Sequence, residues 1–152
     1  MEQSDLLWNL YLSEREFITH HENQRTSASN ILGAIAAGLI VALGTDKLSP
    51  EVQVIAAVVL TVLGLFGYIF CAKLYALMKL HAERSYKYLA VLDETVASVD
   101  ISSLKAEADC VNKTRFKRFS TLPLNRIWAW FHLTICGLGI MFTVYGSAML
   151  VS

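Results

Sequence analysis

The side chains with the most chemistry to offer lie in two short stretches far apart in the chain: His20, His21 and Glu22 in one, His81 and Glu83 in the other. Imidazole and carboxylate together are the donor set of a transition-metal site. Their spacing argues against that use. Adjacent residues on a helix point about 100° apart, whereas helical metal motifs place their ligands four residues apart on one face. These groups are therefore expected to hydrogen-bond between helices, with no metal and no other cofactor. A glycine-rich phosphate loop, a Gly-x-Ser-x-Gly elbow, a Cys-x-x-Cys pair and a paired-histidine metal motif are all missing, so no catalytic residue is expected.

A second polar group is His21-Glu22-Asn23-Gln24-Arg25, followed by Ser27 and Asn30, at the entrance to an apolar run. With Lys73, which closes the next apolar run, Glu22, Arg25 and Asn30 are read as an inner collar. One reading of it is a snorkelling ion pair with Asn30 bonding a neighbouring helix. The other makes it the mouth of a pore or a sensor of the flanking helices.

The elements that must position these groups are membrane helices. The chain has 152 residues, of which 55% are hydrophobic, and a mean hydropathy of +0.45, above the range of soluble domains. Thirteen basic and thirteen acidic residues balance, which argues against a nucleic-acid partner. Charges are absent from Thr26 to Thr45, from Val52 to Ala72 and from Ile127 to Ser152. A span needs about 20 mostly apolar residues, so the spacing predicts an all-α membrane protein with three transmembrane helices at about 27–45, 52–73 and 127–150. The first is the weakest, its strongly apolar part running only from Ile31 to Gly44, and a re-entrant hairpin is its alternative.

Ten of the thirteen Lys and Arg residues lie between Lys73 and Arg126, two are Arg15 and Arg25, and Lys47 alone lies between the first two spans. Positive-inside placement gives a cytoplasmic N-terminus and Ser152 outside. The chain opens on Glu2 and Asp5 rather than on a basic run, so no cleavable signal peptide is expected and the first span directs insertion. Cys71, Cys110 and Cys136 have neither disulfide nor zinc spacing and are read as packing residues.

The whole chain, 1–152, is read as one helical membrane domain, with a cytoplasmic body built from 1–26 and 74–126. Leu7, Leu10, Tyr11, Phe17, Ile18 and His21 keep a helical spacing that runs into the first span. Thr45-Asp46-Lys47-Leu48-Ser49-Pro50-Glu51 has a turn composition, with Pro50 suited to the first position of a helix. Leu74, Met78, His81, Ser85, Tyr88, Leu92 and Val96 continue the second span as a seam. Folding the hairpin about Leu48 brings Arg15 near His81 and Glu83, the expected stalk contacts. After a break at Val99 to Ser103, a third cytoplasmic helix carries Ile101, Leu104, Ala108, Val111 and Phe119 on one face and is expected to pack back on the stalks. The basic run Lys113 to Arg118, then Trp128 and Trp130, suits entry into an anionic leaflet.

Within the apolar runs there is no Asp, Glu, Lys or Arg, and Thr61, Thr134, Thr143, Tyr68 and Tyr145 are taken as the main polar groups. This argues against a proton-coupled pump and a charged selectivity ring, and leaves room for a hydrophobic gate. Gly33, Ala34, Ala37, Gly38 and Ala42 form stripes of small residues at helical spacing, with Gly64, Gly67, Gly137, Gly139 and Gly146 elsewhere. Three helices cannot cover all of these, so homo-oligomer packing through the first stripe is expected.

Leu7-Trp8 with Tyr11, His21-Glu22 with Arg25, and Ser29-Asn30 leading into Ile35-Ala36-Ala37-Gly38-Leu39 resemble the start of small bacterial inner-membrane proteins of the RipA-like octameric type and, more loosely, the SLATT membrane effectors. The resemblance covers roughly residues 6 to 94. It implies a bacterial inner-membrane homo-oligomer, of the phage-defence effector kind, that permeabilises the membrane when a cytoplasmic signal rearranges its helices. A cytoplasmic protein or a nucleotide signal would be the partner, beside membrane lipid. The third span departs from a two-span effector plan. The leading expectation is a non-enzymatic, self-assembling membrane protein forming a conditional pore. The first alternative is a scaffold or accessory subunit that recruits a soluble partner without conductance, the second a small-molecule carrier or interface enzyme.

Overall fold

The structure is a computed structural model that describes residues 3–45, 47–95, 100–117 and 123–151. Among the residues weighed above, Glu2, Asp46, Val96, Val99, Arg118, Phe119 and Ser152 lie outside that set. The described residues form four helices and no strand: α1 (Gln3–Leu43), α2 (Pro50–Thr95), α3 (Ile101–Arg115) and α4 (Leu124–Val151). Three of them, α1, α2 and α4, are long and apolar enough to cross a membrane.

The first apolar run is no hairpin. It belongs to the single unbroken 41-residue helix α1, because no proline and no strained backbone interrupts the i to i−4 ladder between Gln3 and Leu43. The helix ends where its last carbonyls find local donors: Gly44 N–H bonds Ile40 O at 3.0 Å, and the Thr45 hydroxyl bonds Ala42 O at 2.8 Å. Pro50 opens α2 at the one position where a missing N–H costs nothing, and Ser49 O accepts the first ladder bond from Gln53 N–H at 3.0 Å.

The chain divides into two compact units: Met1–Asn23 with Tyr75–Leu124, and Gln24–Leu74 with Asn125–Ser152. In the first, the α2 seam buries Ser85 and Leu92 and half-buries Met78, His81 and Tyr88. Asp93 joins α2 to α3, accepting the Ile101 N–H at 2.6 Å and the Ser102 hydroxyl at 2.5 Å. Asp100 caps α3 by accepting the Ser103 N–H at 2.7 Å. The hydroxyl of Ser102 and the N–H of Ile101 hold the Asp93 carboxyl below the usual aspartate range.

The expected packing of α3 along its whole apolar face does not form. None of its residues is buried, and Leu104 and Val111 remain 58% and 52% exposed. Besides the bonds to Asp93, it meets α2 through the Lys105 ammonium, 3.5 Å from the centroid of the Tyr86 ring.

In the second unit α4 runs antiparallel to α2. Glycines let the two backbones meet: Gly64 lies against the Cys136 backbone, Gly67 against the His132 ring, Gly139 against the Thr61 backbone and Gly146 against Val54. A Cβ on Gly64 would stand 2.7 Å from Cys136 Cα, and one on Gly139 2.8 Å from Thr61 Cα, so neither site has room for one. Ala36 and Leu43 of α1 join Ala57 and Leu60 of α2 and Ile135 of α4 in the buried core, flanked by Leu39, Ile40, Leu138 and Phe142.

Candidate functional site: a polar cluster enclosed by three apolar helices

Among the described residues four polar or charged ones are buried: Arg25, Ser29, Ser85 and His132. Three of them, Arg25, Ser29 and His132, fall in the second unit and gather at one level of its three helices. Arg25 and Ser29 are one turn apart on α1, and Trp128 and His132 are one turn apart on α4. The two helices run parallel here, so the turns match: the Arg25 guanidinium lies 5.8 Å from the centroid of the Trp128 ring, and Ser29 Oγ lies 3.1 Å from His132 Nε2. From α2, Cys71 Sγ lies 3.4 Å from the same Ser29 oxygen.

The proton order within the cluster follows from what surrounds the imidazole. His132 is 0% exposed and its Nδ1 has no hydrogen-bond partner among the described residues; that side of the ring faces the Cα of Gly67. A buried N–H without an acceptor costs more than a bare lone pair, so the ring proton belongs on Nε2. The ring then donates to Ser29 Oγ, and Ser29 Oγ and Cys71 Sγ share a hydrogen bond. This short relay crosses all three helices, each contributing one side chain.

A serine hydroxyl in reach of an imidazole is also the starting geometry of nucleophilic catalysis. Here Ser29 is 1% exposed, so a substrate has no approach to the hydroxyl in this closed arrangement. What the three groups do is tie helices together. The indole N–H of Trp128 is likewise buried with no partner among the described residues, and its ring serves as the face on which Arg25 rests.

His132 corrects the account of the apolar runs. An ionisable side chain does sit inside one: Ser29 meets His132, Cys71 meets Ser29, and Trp128 meets Arg25. The threonines behave as simple helix hydroxyls, Thr61, Thr134 and Thr143 each bonding the carbonyl four residues earlier at 2.8 to 3.0 Å.

The collar residues occupy unlike settings. Arg25 is buried, Asn30 and Lys73 are exposed, and Glu22 is half-buried in the first unit. In the small-residue stripe, Gly33 turns inward against the Phe131 ring at 3.1 Å from its would-be Cβ, while Gly38 has nothing within 4 Å. Ala34 and Ala37 are exposed beside it, and Ala42 is half-buried.

In the first unit His81 is the centre of the stalk contacts, but its partner is Glu14. The His81 Nδ1–H donates to Glu14 Oε2 at 2.5 Å, Phe17 stacks on the ring at 5.0 Å and His21 lies at 5.4 Å. Arg15 and Glu83 are exposed, one residue past Glu14 and two past His81; each residue along a helix turns the side chain by about 100°. Arg84 Nη1 reaches the other Glu14 oxygen at 4.0 Å. Among the described residues no group of three or more His, Cys, Asp or Glu side chains could hold a metal ion. No protein-family model matches this chain, and no curated protein and no solved structure matches it either.

Proposed function

We propose that the protein is a non-enzymatic, self-assembling protein of the bacterial inner membrane whose three apolar helices form a conditional pore, controlled through helices on the cytoplasmic side. The observation that supports this reading is how polarity is divided between the faces of the second unit. Arg25, Ser29 and His132 are sealed inside, while Ile31, Ile35, Val41, Val62, Phe66, Ile69, Met141 and Val144 face outward. Only 17%, 28% and 17% of the most apolar stretches of α1, α2 and α4 is buried. A single copy is thus clad for lipid and holds its polar lining in reserve. Separation or rotation of α1 from α4 would turn Ser29 and His132 toward a common axis, and Gly38 gives neighbouring copies a close-approach point.

The test is expression in bacteria carrying a membrane-potential dye. Induction of the native chain is expected to collapse the potential, and Gly38→Leu, at equal membrane abundance, to leave it intact. A native chain that cross-links as an oligomer yet leaves the potential untouched would remove the pore. One observation favours the scaffold alternative: Leu6, Trp8, Leu12 and Phe17 of α1 are each 45% to 49% exposed, a surface that suits a soluble protein partner. A stoichiometric protein recovered with the native chain, together with an unchanged potential, would decide for that reading.

A further inference from the structure

The first unit leaves an apolar face open on each of two helices. On α1, Leu6, Leu10, Ser13 and Phe17 recur at intervals of four, three and four, so they share one side of the helix. Leu6, Leu10 and Phe17 are 38% to 48% exposed. On α3, Leu104, Ala108, Val111 and Arg115 recur at the same intervals, and Leu104 and Val111 are more than half exposed. Each face holds a shallow groove with a charge in its lining. Ser13, Glu16, Phe17 and His20 line one of about 310 Å³ on α1, and Leu104, Ala108, Val111 and Arg115 border one of about 440 Å³ on α3. Glu16 and Arg115 are both exposed.

Within one chain the two helices flank different sides of α2. Glu14 of α1 meets it at His81, and α3 meets it at Tyr86 and Asp93. At about 100° per residue these positions lie roughly 120° to 140° apart around α2. The faces nevertheless stand at one level. Both helices run antiparallel to α2, and the pairs Glu14 with His81 and Lys105 with Tyr86 fix their registers along it. Counting from those pairs sets Val111 level with about residue 15 and Arg115 level with about residue 19, one turn from Glu16.

We infer that the two faces bind each other between copies, the α3 face of one chain lying along the α1 face of the next with Arg115 paired to Glu16. Copies inserted in one membrane with the same orientation are related by rotation about its normal, which leaves levels unchanged. The match of levels within one chain is therefore a match between neighbours. Charge selects against the self-paired alternatives, since α1 on α1 would set Glu16 against Glu16 and α3 on α3 would set Arg115 against Arg115. The contact is head-to-tail, each copy using one face toward either neighbour, which is the pattern that closes a ring. A soluble partner would have to supply both charges, whereas this chain carries them already at one level. The inference rests on the self-assembly proposed above and is independent of the pore.

Full-length chains in two differently tagged forms test it, co-expressed in bacteria with Cys110→Ser in both and Cys71 and Cys136 left in place. One form carries Ser13→Cys and the other Ala108→Cys, both small exposed residues. A short bis-maleimide added to the membranes is expected to give a product bearing both tags, and none from chains with Cys110→Ser alone. Two forms that both carry Ser13→Cys, or both Ala108→Cys, should give at most a trace. Glu16→Arg should cut the mixed product about fivefold, the order expected when a rim ion pair becomes a like-charge pair. Adding Arg115→Glu to the same chain should restore it. A Ser13→Cys or Ala108→Cys form that links to itself as readily as to the other would overturn the inference. So would a loss that the double reversal leaves uncorrected at equal membrane abundance. Absence of the mixed product from a chain that light scattering in nanodiscs shows to be an oligomer would also overturn it, the mark of another partner on these faces. A native chain that is monomeric in nanodiscs would overturn the self-assembly reading itself.

Discussion

Gly64, Gly67, Gly139 and Gly146 lie in the seam between α2 and α4, each with another side chain or backbone where a Cβ would go; Gly38 and Gly137 have open space there. All six sit in apolar helices and look alike in sequence. The first set fixes the fold of one chain, and the second meets nothing within it. A substitution that is intolerable in the seam should therefore be harmless to the single chain at the open positions.

The largest contrast should come from Gly64→Ala and Gly139→Ala. Each forces a methyl against backbone that cannot yield without moving a helix, so a loss of about 1 to 3 kcal/mol is expected, read as a lower melting midpoint in detergent. Gly38→Ala has no clash and removes a helix-interior glycine, which should raise stability by about 0.5 to 1 kcal/mol. If the Gly38 and Gly64 variants lost stability alike, the distinction between the two sets would fail.

The polar cluster sharpens the same comparison. His132→Ala should cost roughly 2 to 3 kcal/mol, through the emptied volume and the loss of a partner for Ser29, and Ser29→Ala about 1 kcal/mol. The double variant should cost clearly less than the sum, since both remove one bond. Strict additivity would show that the relay through Ser29 is not formed.

Gly38→Leu tests the open set directly: its melting midpoint as a monomer should not fall, since a helix-interior glycine is removed without a clash as in Gly38→Ala, while cross-linking between copies should fall sharply. The smallest effect belongs to the α2 to α3 junction. Because the folded-state pKa of Asp93 is depressed, its contribution is fully present above the ordinary aspartate pKa of about 3.9. It is lost as pH falls through the lower folded value. Asp93→Asn should lower the protection of the Ile101 and Ser102 amides, relative to their intrinsic exchange rates, at neutral pH to the level the native chain shows only in acid.

The helices were legible because their signals are local. Charge-free runs marked the apolar stretches, Pro50 marked the start of α2, and the spacing from Leu74 to Leu92 marked a seam. The polar cluster was not legible, because Ser29, Cys71 and His132 meet only through the register of three helices. One trace of it lies in the sequence: His132 is a lone imidazole within an otherwise uncharged run, one turn from Trp128, which the absence of Asp, Glu, Lys and Arg there does not reveal. The register of the stalks was nearly recoverable, with Glu14 rather than Arg15 opposite His81. The packing of α3 was not, since an amphipathic spacing states that a face needs cover without stating whose.

The relay through Ser29 also has an order in time. A chain is made from its N-terminus, so the α1 and α2 hairpin exists, with Ser29 beside Cys71, before His132 has been synthesised. Until α4 arrives, the notch at Gly64 and Gly67 is empty and Ser29 lacks its imidazole. The last helix thus works as a keystone, and a chain truncated before it would leave Ser29 without its imidazole and Gly64 and Gly67 uncovered.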